Sequence, residues 1–349
     1  MAPTPLHQPA EFYQALPKVE LHRHLEGSLR LVTLLEVARA HGLDLLGTDR
    51  LRPLVQVRAG DPLNSQNFLS KFETLRKFYR SPEVIGRITQ EAIADAAADN
   101  VRYMELRFTP VALSRAENFP LAEVMDWVIE GTRQAQAEHP IACRLIASVN
   151  RHESAELATQ VAQLAANRLD SGIVGMDLAG NELAFSAMPF EGVFREARQA
   201  GLHVTIHAGE WGGAGNVAQA IALLGAERIG HGVRALEDPA VVALARERST
   251  AFEVCVTSNY QTGVTPAREE HPLPDMLAAG LDVTINTDDP SISQITLGDE
   301  YCLVCEHLGL SLTSLRQRVL AAARAAFLPE AGKRDLVASL EREFPLNLT

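Results

Sequence analysis

Val204-Thr205-Ile206-His207-Ala208-Gly209-Glu210 is a β-branched run that ends in a histidine, two small residues and a carboxylate, and it continues into the glycine-rich Trp211-Gly212-Gly213-Ala214-Gly215. The run has the composition of a strand. The glycines after it permit a tight turn and let a ligand come close to the backbone. A strand that carries His207 and Glu210 to its C-terminal end is well placed for chemistry. The same letters also suit a packed core histidine and a helix-start carboxylate, so the flanking chain has to decide.

Outward from this stretch, short apolar strands alternate with amphipathic helices. The strands are expected at Arg102 to Phe108, Ala142 to Val149, Ile173 to Leu178, His203 to Ala208, Arg228 to Val233, Ala251 to Thr257 and Asp282 to Asn286. Helices fill the gaps, including Leu121 to Glu138, Ser154 to Leu169, Phe190 to Ala200 and Asn216 to Leu224. Upstream, Val19-Glu20-Leu21-His22-Arg23-His24-Leu25 alternates with the period of a strand and puts Glu20, His22 and His24 on one face. That makes eight strands. Strands alternating with helices imply a parallel sheet, and eight such units at this length imply an α/β fold of the closed (β/α)8 TIM type. No G-x-G-x-x-G follows the first strand, which weakens an open dinucleotide-binding sheet.

The gap between the first two strands is about twice the usual length. It holds Phe68, Phe72, Leu75 and Phe78 at helical spacing, either core or a lid over the barrel mouth. Ser28 is expected to cap a helix from Leu29 to Ala40, and Pro82 to open another that ends near Asn100. Residues 1 to 17 are expected to wrap the surface, and the helices after Ser311 to pack on the barrel exterior. With no repeat or linker, residues 1–349 read as one domain.

The net charge of -12 and the lack of a Lys/Arg cluster argue against nucleic acid or an anionic membrane as a partner. No apolar run approaches the ~20 residues of a membrane span, and the N-terminus lacks signal-peptide features. Four cysteines in a chain this long do not make a disulfide framework, so a cytoplasmic location is expected. Cys302-x-x-Cys305 has no second pair and reads as two small buried helix residues.

Barrel sites form at the C-terminal strand ends. Those ends carry His22, His24 and Glu26; Asp177 to Glu182; His207 and Glu210; His231 within Gly230-His231-Gly232; and Asp288-Asp289-Pro290. Each piece has a structural explanation of its own, but their joint arrival at one rim implies a metal site. Three imidazoles and a carboxylate suit zinc with a position left for water. A bound zinc lowers the pKa of water to about 7. His231 and Glu210 then remain as acid/base groups.

With these residues in place, the chain resembles the adenosine deaminases of the amidohydrolase superfamily. The matching motifs are Pro17 to Gly27 (PKVELHRHLEG), Asp177-Leu178-Ala179-Gly180-Asn181-Glu182, His207-Ala208-Gly209-Glu210, Arg228-Ile229-Gly230-His231-Gly232, Thr257-Ser258-Asn259 and Asn286-Thr287-Asp288-Asp289-Pro290. The resemblance implies that His22, His24, His207 and Asp288 bind one zinc per chain. It implies that Glu210 protonates N1 of a purine, that His231 orients and deprotonates the attacking water, and that Asp288 hydrogen-bonds the same water. Asp289 would bind N7, and the Gly180 amide would donate to N3. The substrate implied is adenosine or 2′-deoxyadenosine, with 6-aminodeoxyfutalosine or adenine as alternatives and a non-catalytic barrel as a remote one. The fourth strand has no lysine, so one metal is expected rather than two. Glu26 stands where aspartate is usual, at a position associated with the ribose, and Asn181 stands where aspartate is common. The remaining histidines, His7, His41, His139, His271 and His307, look like surface residues. His203 is assigned to the barrel floor or surface, and His152 is a weaker candidate for the rim.

Overall fold

The computed structural model describes residues 8–44 and 47–344. His7 lies outside them. The eight strands are β1 (Lys18–His24), β2 (Val101–Phe108), β3 (Ala142–Asn150), β4 (Ile173–Ala179), β5 (His203–Ala208), β6 (Arg228–His231), β7 (Ala251–Val254) and β8 (Asp282–Ile285). They pair in sequence order, every pair parallel. The ring closes beyond β8: the Asp288 N–H donates to the His22 carbonyl at 2.9 Å, and the His24 N–H donates to the Asp288 carbonyl at 2.8 Å. The architecture is the expected TIM-type (β/α)8 barrel, and strand residues such as Val19, Leu21, Ile206, Ile229 and Val283 belong to its buried hydrophobic core.

β6 and β7 are shorter than the sequence suggested. After His231 the backbone turns through two left-handed residues, His231 (φ 59°) and Gly232 (φ 66°). After Val254 a helix, Val256–Gln261, begins directly. Its first N–H groups, those of Val256 and Thr257, donate to the buried Glu300 carboxylate at 3.0 and 3.1 Å. A helix start leaves such donors unpaired, and a carboxylate satisfies them. Thr257, Ser258 and Asn259 are therefore helical.

Other boundaries also shift. The helix after β1 spans Leu31–Ala40 and is not capped by Ser28. The Ser28 hydroxyl instead donates to the His24 carbonyl at 2.7 Å and accepts from Arg23 Nε at 3.1 Å, tying down the end of β1. Near the N-terminus, Ala10–Ala15 forms a helix that buries Tyr13, whose hydroxyl bonds Glu306. Cys302 and Cys305 lie half-buried on the helix Leu297–Glu306.

The insertion between β1 and β2 folds into helices Leu31–Ala40, Thr48–Val55, Ser65–Leu75 and Pro82–Ala98. It is pinned to the loop after β8: the Val57 N–H donates to the Ile292 carbonyl at 2.9 Å, and Gln294 Nε2 donates to the Val57 carbonyl at 2.7 Å. At the barrel's opposite end, the C-terminal helices Leu312–Ala325 and Glu330–Glu343 flank a floor built around Phe327. The Phe327 ring stacks on His203 with centroids 4.6 Å apart and lies 3.5 Å from the Arg228 guanidinium. His203 is thus a floor residue, as expected. Among the described residues, no helix is long and apolar enough to cross a membrane.

Candidate active site

At the C-terminal mouth of the barrel, His22 and His24 from β1, His207 from β5 and Asp288 after β8 bring their donor atoms together. His22 Nε2 and His24 Nε2 each lie 3.3 Å from Asp288 Oδ1, and His24 Nε2 lies 3.2 Å from His207 Nε2. Donors held about 2.0–2.1 Å from one ion at tetrahedral angles sit roughly 3.3 Å apart, so the cluster has the dimensions of a zinc site. His22 Nε2 is buried with no hydrogen-bond partner. A buried ring nitrogen without a partner is costly unless something binds it.

The far nitrogens of two of these rings are anchored. His22 Nδ1 lies 2.8 Å from Glu253 Oε2, and His207 Nδ1 lies 2.9 Å from Asp177 Oδ1. A carboxylate accepts, so each Nδ1 carries the proton and each Nε2 presents a lone pair, the polarity of metal-binding histidine. Glu253 and Asp177 are in turn held by Arg107, at 2.7 and 3.5 Å, and Glu253 also by Arg228 at 2.6 Å. Burial opposes the charge of Glu253, but Arg107 and Arg228 hold it well below the usual carboxylate range. Burial likewise opposes Asp177, and His207 with Arg107 keeps it ionised. Ser258 Oγ donates to Asp288 Oδ2 at 2.7 Å.

The remaining site residues surround a cleft of about 680 Å³, its open mouth included. His24, Glu26, Gly180, His207, Glu210, His231, Asp288 and Asp289 all line it, with Phe68, Phe72 and Arg76 from the insertion. Phe68 and Phe72 therefore serve the pocket as well as the insertion's own packing. His231 Nε2 lies 3.6 Å from Glu210 Oε2 and 3.8 Å from Asp288 Oδ2. Burial, then the negative charges of Asp288 and Glu182, push the Glu210 carboxyl well above its ordinary range. Burial and the adjacent Asp288 do the same for Asp289. Asp289 presses against Gly27 so closely that a Cβ there would meet its Oδ1 at 1.8 Å, so a larger residue would displace the Asp289 side chain.

The two departures from the family pattern differ in position. Glu26 is buried in the cleft wall, where Oε1 accepts the Thr109 N–H at 2.7 Å and Oε2 has no partner. Asn181 does not line the cleft; its Oδ1 accepts the N–H groups of Leu183 and Ala184 at 3.0 and 3.2 Å, a local turn. His152 is exposed beside Phe185 and is not among the lining residues. His271, expected at the surface, is buried. Its ring bonds Asn259, on the helix Val256–Gln261, and the Leu273 N–H, partners that the polar flanks of His271 conceal.

The sequence reading gave no role to Glu253, Arg107 or Glu182. Glu182 Oε1 accepts the N–H groups of Glu210, Trp211 and Gly212 at 2.7–2.8 Å, and Oε2 accepts that of Gly209 at 3.0 Å and Asn216 Nδ2 at 2.8 Å. Its place three residues past the end of β4 was the available signal.

The sequence profile described as adenosine deaminase matches residues 17–343. The adenosine deaminase of Klebsiella pneumoniae (strain 342) is 38% identical over 326 residues, spanning 93% of this chain and 97% of that protein. An amidohydrolase of Burkholderia ambifaria, solved with bound zinc, superposes with a TM-score of 0.89 at 28% identity, covering 98% of this chain and 95% of the other. Arabidopsis ADAL complexed with IMP gives 0.85 at 29% identity, covering 95% and 98%. Fold and comparisons define a hydrolytic deaminase built on a TIM-type barrel. The chain belongs to the adenosine deaminase family.

Proposed function

We propose that the chain converts adenosine, or 2′-deoxyadenosine, and water to inosine (or 2′-deoxyinosine) and ammonia, using one zinc ion per chain held by His22, His24, His207 and Asp288. When bound, zinc would supply a nucleophile of hydroxide character near neutral pH. The observation that carries the reading is that Glu210, its carboxyl kept protonated by burial, shares one cleft with that ligand cluster. Glu210 donates its proton to N1 of the purine, which makes C6 electrophilic. His231 and Asp288 orient the attacking water, and Asp288 accepts its proton. Attack at C6 gives a tetrahedral carbon; the exocyclic nitrogen takes up the proton lost by the water and leaves as ammonia, and the C6 hydroxyl proton is released as the carbonyl forms, restoring the acid. Asp289, protonated in its buried setting, donates to N7, and the Gly180 amide donates to N3. Phe68 and Phe72 shield the purine from water. We read the whole chain as one hydrolase domain acting on a small purine in the cytoplasm, without nucleic acid or membrane as a partner.

One observation favours a second reading with the same chemistry. Glu26 presents an unpaired buried carboxylate oxygen at the cleft wall, where a substrate with a different 5′ end, such as 6-aminodeoxyfutalosine, would make its own contacts. An ultraviolet deamination assay on zinc-loaded protein with adenosine, 2′-deoxyadenosine, adenine and 6-aminodeoxyfutalosine separates the readings. Preference for either nucleoside is expected. Preference for the futalosine compound would transfer the specificity to Glu26, and no turnover of any of the four would overturn the proposed reaction.

A further inference from the structure

Behind His231 runs a hydrogen-bond chain whose direction is fixed from its far end. The backbone N–H of Leu273 donates to His271 Nδ1 at 3.0 Å. A backbone N–H can only donate, so this Nδ1 is unprotonated and the neutral ring carries its proton on Nε2. That nitrogen lies 3.1 Å from Asn259 Oδ1 and donates to it. The other arm of the same amide, Asn259 Nδ2, lies 3.2 Å from His231 Nδ1. An amide nitrogen donates, so His231 Nδ1 accepts. Turning the amide over would set its NH2 group against the His271 N–H and leave two buried donors facing each other, a costly arrangement. His271, Asn259 and His231 are all buried, so water does not relax the constraint. Burial also pushes the His271 imidazole down to about 3, which keeps it neutral.

We propose that the chain Leu273–His271–Asn259 is a polarity lock that holds His231 in its Nε2–H tautomer, so that His231 meets the reacting atoms as a hydrogen-bond donor. Asn259 and His271 are then positioning residues. The consequence for turnover rests on the function proposed above; the tautomer itself does not. His231 Nε2 faces the space between Glu210 Oε2 and Asp288 Oδ2. An N–H aimed there stabilises negative charge gathering on oxygen during attack, which is the usual work of a preorganised donor. This differs from the base role that the family resemblance implies for His231, because a nitrogen that already carries a proton cannot accept another.

The test is a two-bond 1H–15N spectrum of the full zinc-loaded chain labelled with 15N-histidine, with the His231 signals assigned by their loss in His231→Gln. Nδ1 is expected at the shift of an unprotonated ring nitrogen and Nε2 at that of a protonated one. The reverse pattern in the wild type overturns the proposal, whatever the protein's activity. Asn259→Asp keeps the bond from His271, because a carboxylate accepts, but offers His231 only an acceptor. In that variant the two His231 shifts are expected to exchange. kcat for adenosine should fall on the order of a hundredfold or more while KM stays within a few-fold. Exchanged shifts with unchanged kcat would refute the donor role. Wild-type protein that shows the expected shifts yet deaminates nothing would sink the proposed function and leave the lock standing.

Discussion

The carboxylate of Glu182 accepts the backbone N–H of Glu210 at 2.8 Å, and its two oxygens also bind the N–H groups of the residues on either side. One glutamate thus fixes the loop that presents another. Its charge adds to burial and to Asp288 in keeping Glu210 protonated. Glu182→Gln keeps the shape but removes that charge and sets an NH2 group among backbone donors. In the proposed reaction Glu210 acts in its protonated form, so activity should be present below its pKa and be lost as pH rises through it. Removing a neighbouring negative charge lowers that pKa. We expect kcat to fall about 10- to 100-fold and the alkaline limb of the kcat–pH profile to move to lower pH. A limb that stays in place would show that the Glu182 charge is not felt at Glu210.

Glu210→Gln removes the proposed acid without touching the ligand cluster. The expected loss in kcat is on the order of 10²- to 10⁴-fold. Elemental analysis should find the same zinc content as in the wild type. Retained activity would exclude Glu210 as the proton donor.

Asp177 and Glu253 orient His207 and His22 from behind. Asp177→Asn is expected to weaken zinc binding by about 10- to 100-fold, read by competition with a chelator. Glu253→Gln should do the same and also lower the melting temperature more, because it leaves Arg107 and Arg228, both buried, with less compensating charge. Equal melting temperatures for the two variants would contradict the wider role of Glu253.

His271 should make stability depend on pH. Its folded pKa of about 3 lies below the unfolded value near 6.5. Between those values the unfolded chain binds a proton that the folded chain refuses. The contribution is complete above pH 6.5 and declines as pH falls toward 3. From pH 7 to pH 5 it amounts to roughly 2 kcal/mol, from 1.36 kcal/mol per unit. Urea unfolding at the two pH values should show the wild type losing about that much more than His271→Gln. Parallel losses would mean that His271 does not titrate on unfolding.

Much of the barrel could be read from the sequence because each strand and helix carries its own local period. Leu121–Glu138 and His203–Ala208 appear at the expected bounds. The rim residues were legible too, since a strand's end fixes where its last polar side chain must sit. What escaped depends on pairs far apart in sequence. Glu253 meets His22 across 231 positions and Arg107 across 146, and Arg228 meets Glu105 across 123. Such partners become neighbours only once the ring has closed. Ser28 misled for a local reason: a serine ahead of a helix competes for nearby backbone, and here the end of β1 won.

Asp288 sits in the seam of the barrel, its backbone bridging the His22 carbonyl and the His24 N–H while its side chain joins theirs in the ligand cluster. The seam is therefore a clasp on a hoop, and a metal bound by the cluster would be its pin. Withdrawing the metal would loosen the one junction where the first and last strands meet, and hydrogen exchange should quicken at β1 and β8 before it quickens at β3 and β4. The melting temperature of the protein would then serve as a gauge of how full its site is.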